Sequence, residues 1–429
     1  MSSPQDSVNV AYGSPSASAG LALSACLALI AVSVGRLTEL IPILAPLKLG
    51  FITPLFAIVA LVISPRNSLG RLTDTRITTP LLVFSLLVAV SLFYSIYKSR
   101  SLWFIQYLLP INILLYIVLV KSVQTVNDLR KVAYVAIISA AVFSVKAVTL
   151  DWMTRVEVES KLDPNDLANF LCCVLPFIAA EISLVSRNSA KITLIGIAAI
   201  SILTIFLTQS RGGFLALSAI TMVFLFSRGF GIDSISPSTK QRFKRLLVLG
   251  IVALVLFQVV PDASKERLLS FSNYTQDYNV TYERGGRVGI WKRGLSYLAS
   301  HPWGSGVESY QVVDMNQGGQ FRDAHNSFVQ VAVEIGVVGF FFYVLTYARS
   351  FSIVRSTSQS LSAAYADSAH SSTDAHLYAY SQASLISLIA FCVSGFFLSL
   401  GYSPLVYLLF GIIGCIERFS KQRESSNVG

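Results

Sequence analysis

Asp323-Ala324-His325-Asn326-Ser327 runs straight into the apolar stretch FVQVAVEIGVVGFFFYVL, residues 328–345. The apolar positions are continuous rather than alternating, so the stretch reads as a helix and not as a barrel strand. A membrane-spanning helix needs about 20 largely apolar residues, and 326–348 meets that length. Similar runs lie at 19–35, 49–64, 78–96, 102–120, 129–150, 165–185, 190–207, 212–228, 246–260, 383–401 and 403–417. The chain therefore predicts an all-α integral membrane protein with about twelve transmembrane helices. Composition agrees: 53% of the 429 residues are hydrophobic and 13% charged, with a mean hydropathy of +0.62. Soluble domains are nearer a quarter charged; this chain needs a bilayer as solvent.

Basic residues near helix ends are retained in the cytoplasm. The densest basic loop holds Arg228, Lys240, Arg242, Lys244 and Arg245, and placing it inside puts both termini inside. Residues 1–18, rich in Ser, Pro, Ala and Gly, then read as a disordered cytoplasmic tail rather than a cleavable signal, and 419–429 as a second tail. The net charge of +10 is spread over many inner loops, with no compact basic-aromatic patch, which argues against nucleic-acid binding. Cys26, Cys172, Cys173, Cys392 and Cys415 all fall in apolar runs and read as small core residues. No pair has metal-ligand spacing with histidines, so neither a metal site nor a disulfide scaffold is implied.

Helices one to nine occupy 19–260, and helices ten to twelve 325–418. Between them, 261–324 is one large outward-facing loop; it carries Tyr274, Tyr278 and Tyr282, then Arg284-Gly285-Gly286-Arg287. Val288 to Ser300 follows as an amphipathic helix, with Val288, Trp291, Leu295 and Leu298 on one face and Trp291 as an interfacial anchor. His301-Pro302-Trp303-Gly304-Ser305-Gly306 stops that helix. Residues 349–382, largely Ser, Ala and Thr, read as a solvated, mobile cytoplasmic linker.

Several polar residues interrupt this pattern. Thr208-Gln209-Ser210-Arg211-Gly212-Gly213 forms a tight outer turn, so Arg211 either snorkels to headgroups or faces a water-filled cavity and a ligand. Arg287 opens the amphipathic helix; its planar fork suits phosphate oxygens, and a headgroup anchor is the other reading. His325 is flanked by Asp323 and Asn326 at a helix start, where a neutral imidazole can accept a proton from a hydroxyl; a satisfied boundary histidine is the other reading. His301, at a helix stop, reads as a cap. Glu334 sits halfway along a span, needing a partner; it either braces the site or serves structure alone. Gly336 and Gly339 beside it read as helix-packing residues. Asp163 and Asn165 fit a helix N-cap with Pro164 at the first turn, and a substrate contact by Asn165 is the alternative.

Asp-Pro-Asn-Asp-Leu-Ala at 163–168, Ser-Arg-Gly-Gly at 210–213, Arg-Val-Gly-Ile-Trp at 287–291, His-Pro-Trp-Gly-Ser-Gly at 301–306, Ala-His-Asn-Ser-Phe at 324–328 and Glu-Ile-Gly-Val-Val-Gly at 334–339 occur in that order. In this the chain resembles the O-antigen ligase/polymerase superfamily, over about 160 to 340. The resemblance implies a glycosyltransferase of the bacterial inner membrane, working on the periplasmic face without metal or cofactor. Its donor is a glycan on undecaprenyl pyrophosphate. Its acceptor is the lipid A core for a ligase, or another lipid-linked glycan for a polymerase of O-antigen or exopolysaccharide. It gives Arg211 and Arg287 the pyrophosphate and His325 the base. Asn326, Asn165, Gln209 and Glu334 are expected in support from their own positions in the sequence, not from the resemblance. Transfer from one face would invert the anomeric carbon. A multi-pass transporter of a small anion is the rival class, expecting midplane ionisable residues, broken helices and repeat symmetry.

Overall fold

The computed structural model describes residues 17–149, 163–226, 229–231, 286–365 and 371–428, with isolated positions between 247 and 265. The three tyrosines of the outer loop, the first sixteen residues and nearly all of the expected span 246–260 lie outside the described residues. The described chain is helical, with no strand. Its principal helices are α1 (Ala17–Ser33), α2 (Leu49–Ile63), α3 (Thr78–Val90), α4 (Lys98–Tyr107), α5 (Leu109–Ser122), α6 (Val126–Thr149) and α7 (Pro164–Leu184). They continue as α8 (Asn188–Leu207), α9 (Arg211–Phe226), α10 (Arg287–Ser300), α11 (Tyr310–Asn316), α12 (Ser327–Tyr365), α13 (Ser372–Gly395) and α14 (Pro404–Val428).

Six described helices are long and apolar enough to cross a membrane: Lys98–Ser122, Val126–Thr149, Pro164–Leu184, Asn188–Leu207, Ser327–Ala363 and Ser372–Gly395. Gly20–Ser33, Leu49–Ile63, Thr78–Tyr94 and Arg211–Phe226 are shorter apolar helices. This is a multi-pass membrane protein. Within it α7 is central: 78% of its apolar window is buried, against 28% for α8. Helix α13 packs along α7 and α9. The rim is lipid-soluble; α2 exposes Phe51, Leu55, Ile58 and Val62.

Helix starts follow the sequence closely. The Asp163 carboxylate accepts the Asn165 N–H at 2.7 Å, and Pro164 occupies the first turn of α7. Asn326 Oδ1 accepts from Phe328 and Val329 N–H at 3.0 and 3.1 Å, opening α12. Helix ends differ more. The expected linker 349–382 is mostly helix, because α12 runs to Tyr365 and α13 begins at Ser372. Several of its serines turn back to their own helix: Ser350, Ser358 and Ser362 hydroxyls donate to carbonyls four residues back, and Ser358 also reaches Ser381 of α13. Conversely, the expected span 383–401 ends early, at Gly395, and 396–403 forms a turn.

Helix α12 is broken at Gly336, whose φ of 76° and ψ of −178° suit glycine alone. Gly336 is thus a break rather than a packing residue. A break frees backbone groups that hydrocarbon cannot satisfy. The 302–306 stretch supplies the partners: Ser305 and Gly306 N–H donate to Val333 and Glu334 carbonyls at 3.0 and 2.8 Å. Pro302 carbonyl accepts the Val337 N–H at 2.8 Å. Two separate sequence motifs are therefore one structural joint, which holds the 302–306 stretch against the broken helix. Around it Ile290, Tyr297, Tyr310, Val313, Ala324 and Val333 form a second, small core.

Candidate functional site

Three chain segments supply the polar residues singled out by sequence, and a fourth joins them. Arg211 is the first residue of α9. Ser210 Oγ accepts the Gly213 N–H at 3.1 Å and caps that helix. Gly213 presses on α7; a methyl group there would lie 2.6 Å from the Ala168 Cβ. Gln209, just before, has a left-handed backbone with φ of 53°, and its side chain makes no hydrogen bond among the described residues.

Arg287 is the first residue of α10. Its guanidinium lies 5.9 Å over the Phe397 ring, and Gly212 of α9 also lies against Phe397. Burial, and then the positive charge of Arg211, hold the Arg287 pKa below its ordinary value. Arginine remains cationic at neutral pH regardless. No carboxylate pairs with Arg287 among the described residues. Two cations share a partly buried space; such a space favours an anion.

His325 precedes α12 with φ of 46°, a left-handed conformation uncommon outside glycine. Its N–H donates to Ser399 Oγ at 2.9 Å, fixing it to the 396–403 turn. Burial, then the Arg287 charge, lower its pKa against the opposing pull of Asp323 and Asp163. The imidazole is therefore neutral near pH 7, the state a proton acceptor needs. The 397–399 turn touches all three segments: Phe397 meets Arg287 and Gly212, the residue after Arg211, and Ser399 accepts the His325 N–H.

The supporting residues divide. Asn326 is buried with its Oδ1 committed to capping α12, and Asn165 bonds Asp163 in the α7 cap at 2.7 Å. Glu334, 1% exposed, accepts from Tyr310 N–H at 3.2 Å and from Tyr402 hydroxyl at 2.8 Å, tying α12 to α11 and the turn before α14. His301 stacks on Tyr297 at 4.2 Å at the end of α10. His376 is half-buried on α13, its Nδ1 against the Ser372 carbonyl of its own helix. Trp291, partly buried, is tied to the protein: its indole N–H donates to the Ala324 carbonyl at 2.7 Å, beside His325, and its ring meets Phe396. The protein face of α10 is Ile290, Gly294 and Tyr297, with Leu295 exposed.

Phe397 and Ser399 escaped the sequence reading, which placed them inside an apolar span. Gly395, Gly401 and Ser403-Pro404 were the signals of a turn there.

Residues 196–344 match a family model described as O-antigen ligase. Over that segment, roughly a third of its length, the chain is similar to the O-antigen ligase family. No curated protein matches the chain. The ligase segment contains Arg211, Arg287 and His325, while Ser399, Phe397 and the cap at Asp163 lie outside it. The match supports a membrane glycosyltransferase of the ligase or polymerase type, acting on lipid-linked glycan.

Proposed function

We propose that this chain transfers a glycan from undecaprenyl pyrophosphate to a sugar hydroxyl at the periplasmic face of the bacterial inner membrane, with both termini cytoplasmic and about twelve spans. In this reading 261–324 is the periplasmic loop. Arg211 and Arg287 bind the pyrophosphate through charge-assisted, forked hydrogen bonds. His325 takes the proton from the acceptor hydroxyl as its oxygen attacks the anomeric carbon. The bond from that carbon to the pyrophosphate oxygen breaks, and the electron pair leaves on the phosphate. The two guanidinium groups stabilise that charge, so the step asks for no metal. Attack opposite the leaving group inverts the anomeric centre. Because Arg287 depresses the His325 pKa, a bound diphosphate offsets that charge and makes the imidazole a stronger base: donor binding prepares the acceptor step.

The observation carrying this reading is the pair of neighbouring arginines, one lacking any carboxylate partner among the described residues, beside a histidine kept neutral. The transporter alternative draws on the broken helix at Gly336, since transporters aim such breaks at their substrates. Here Ser305 and Gly306 N–H take the Val333 and Glu334 carbonyls, and the Pro302 carbonyl takes the Val337 N–H, so protein rather than an ion holds these groups. The test is a deletion strain complemented with His325→Ala or Arg287→Ala at matched membrane levels. Both should lose surface glycan and accumulate lipid-linked glycan, as full-length polymer for a ligase or single repeats for a polymerase. Normal surface glycan in both variants refutes the assignment, and flux of a small anion into proteoliposomes without transfer favours the transporter.

A further inference from the structure

Behind His325 lies a cavity of about 210 Å³, large enough for a sugar ring and far larger than one water requires. Helix α7 contributes Asp166 and Asn169, the 301–309 stretch Glu308, the turn before α14 Ser399 and Tyr402, and the end of α1 the adjoining Arg36. Ser399 is shared: it lines the cavity and accepts the His325 N–H at 2.9 Å. The cavity and the base are thus fixed to the same turn.

Its chemistry differs from that of the arginine pair. Asn169 is 2% exposed, and its one side-chain contact is the Cys173 thiol, 3.7 Å from Oδ1. The amide N–H groups make no hydrogen bond among the described residues, and Asn169 lines the cavity, where they are available to a ligand. Asp166 makes no side-chain hydrogen bond among them either; its recorded neighbours are the charges of Asp163 and Arg36. Glu308 is bonded through one oxygen, to Arg100 at 3.1 Å, and its other oxygen is uncommitted. Phe104 and Tyr402, with ring centroids 5.2 Å apart, provide an apolar wall. Of the five described non-glycine residues with positive φ, Arg36 and Glu308 line this cavity, and His325 and Gln209 belong to the site beside it. Strain of this kind gathers where function needs a fixed geometry.

Amide donor, carboxylate acceptors and an aromatic wall together recognise a ring bearing hydroxyls. Two carboxylates also repel a diphosphate, which the arginines attract. We propose that this cavity holds the terminal, uncharged sugar of the acceptor, with Asn169 donating to a sugar oxygen and Asp166 and Glu308 accepting from its hydroxyls. The proposal rests on the glycan-transfer reading and adds the side from which the attacking hydroxyl arrives: across Ser399 from the donor's pyrophosphate.

The test uses the full chain in nanodiscs with the host's undecaprenyl-pyrophosphate glycan as donor. Two acceptor probes are titrated, lipid A core from a strain lacking surface glycan and single lipid-linked repeat units. Undecaprenyl pyrophosphate binding is measured separately. Asn169→Leu, close in volume, and Glu308→Gln, on the loop, should each raise the KM for whichever acceptor is used, about tenfold and severalfold respectively. Binding of undecaprenyl pyrophosphate should stay within twofold of wild type. Active variants with unchanged acceptor KM overturn the proposal, and so does a parallel loss of undecaprenyl pyrophosphate binding, which would make the cavity a donor site. Wild-type protein that transfers to neither probe overturns the transferase reading itself, and this one with it.

Discussion

Replacing Arg287 with glutamine separates its proposed chemical role from any role in holding the fold. The side chain lies partly buried over Phe397 and near Arg211, without a carboxylate partner among the described residues. Losing one stabiliser of a developing negative charge costs on the order of 10²–10³-fold in kcat, and transfer should fall by that factor. Stability should barely change. The lost cation–π contact is worth about 0.5–2 kcal/mol, and removing a poorly compensated buried cation returns a similar amount. The donor-free Tm should therefore move by no more than about 3 °C. The pH profile supplies a third readout. As a base, His325 works when deprotonated, so activity falls as pH drops through its pKa. That pKa is held below about 6.5 by burial first and by Arg287 second. Arg287→Gln removes the second cause only, so the acid limb should move to higher pH but stop short of the ordinary value. Initial rates from pH 5 to 8 with purified protein, alongside thermal unfolding, test all three. Transfer within threefold of wild type, a large fall in Tm, or an acid limb that stays put would refute the reasoning.

Further outcomes follow from the same geometry. His325→Ala should reduce transfer by about 10²–10⁴-fold while leaving undecaprenyl pyrophosphate binding within a few-fold, as measured by titration in detergent. Gly336→Ala forces a side chain into a backbone conformation essentially reserved for glycine, with its Cβ 2.3 Å from the Trp303 carbonyl carbon; membrane yield and Tm should both drop sharply. Glu334→Ala leaves the buried Tyr402 hydroxyl and Tyr310 N–H without their acceptor, costing about 1–3 kcal/mol for each group, read as earlier thermal unfolding. Trp291→Phe removes the hydrogen bond to Ala324 and should lower kcat severalfold at unchanged protein level, because the residue next to the base loses its tether.

Much of the architecture was legible because a bilayer imposes a one-dimensional rule. A run of about 20 apolar residues must become a helix, and the onsets of α7, α9 and α12 lie within two residues of the apolar runs. Arg211, Arg287 and His325 were visible for the same reason: each is a charged or titratable group at the edge of such a run, where it demands an explanation. The proline and asparagine chemistry of the α7 and α12 caps was equally local.

Residues whose roles depend on a distant partner were not legible. Ser399 and Phe397 looked like part of a span, since hydropathy averages away a short turn. Asn169 lies in an apolar helix with nothing nearby in sequence to mark it as a cavity residue. Trp291 reads as an anchor, and nothing near it in sequence shows that Ala324, 33 residues away, accepts its N–H. The helical serines of 349–365 read as linker because composition alone does not say that a hydroxyl will turn back to its own helix.

Hydropathy and local capping, which act between neighbours in the chain, determined that this is a helical membrane protein and where its helices begin. Which of the rare polar side chains meet was decided by the tertiary structure. Burial, like-charge repulsion and backbone hydrogen bonds across a broken helix are properties of residues brought together from far apart, and no window of sequence contains both partners.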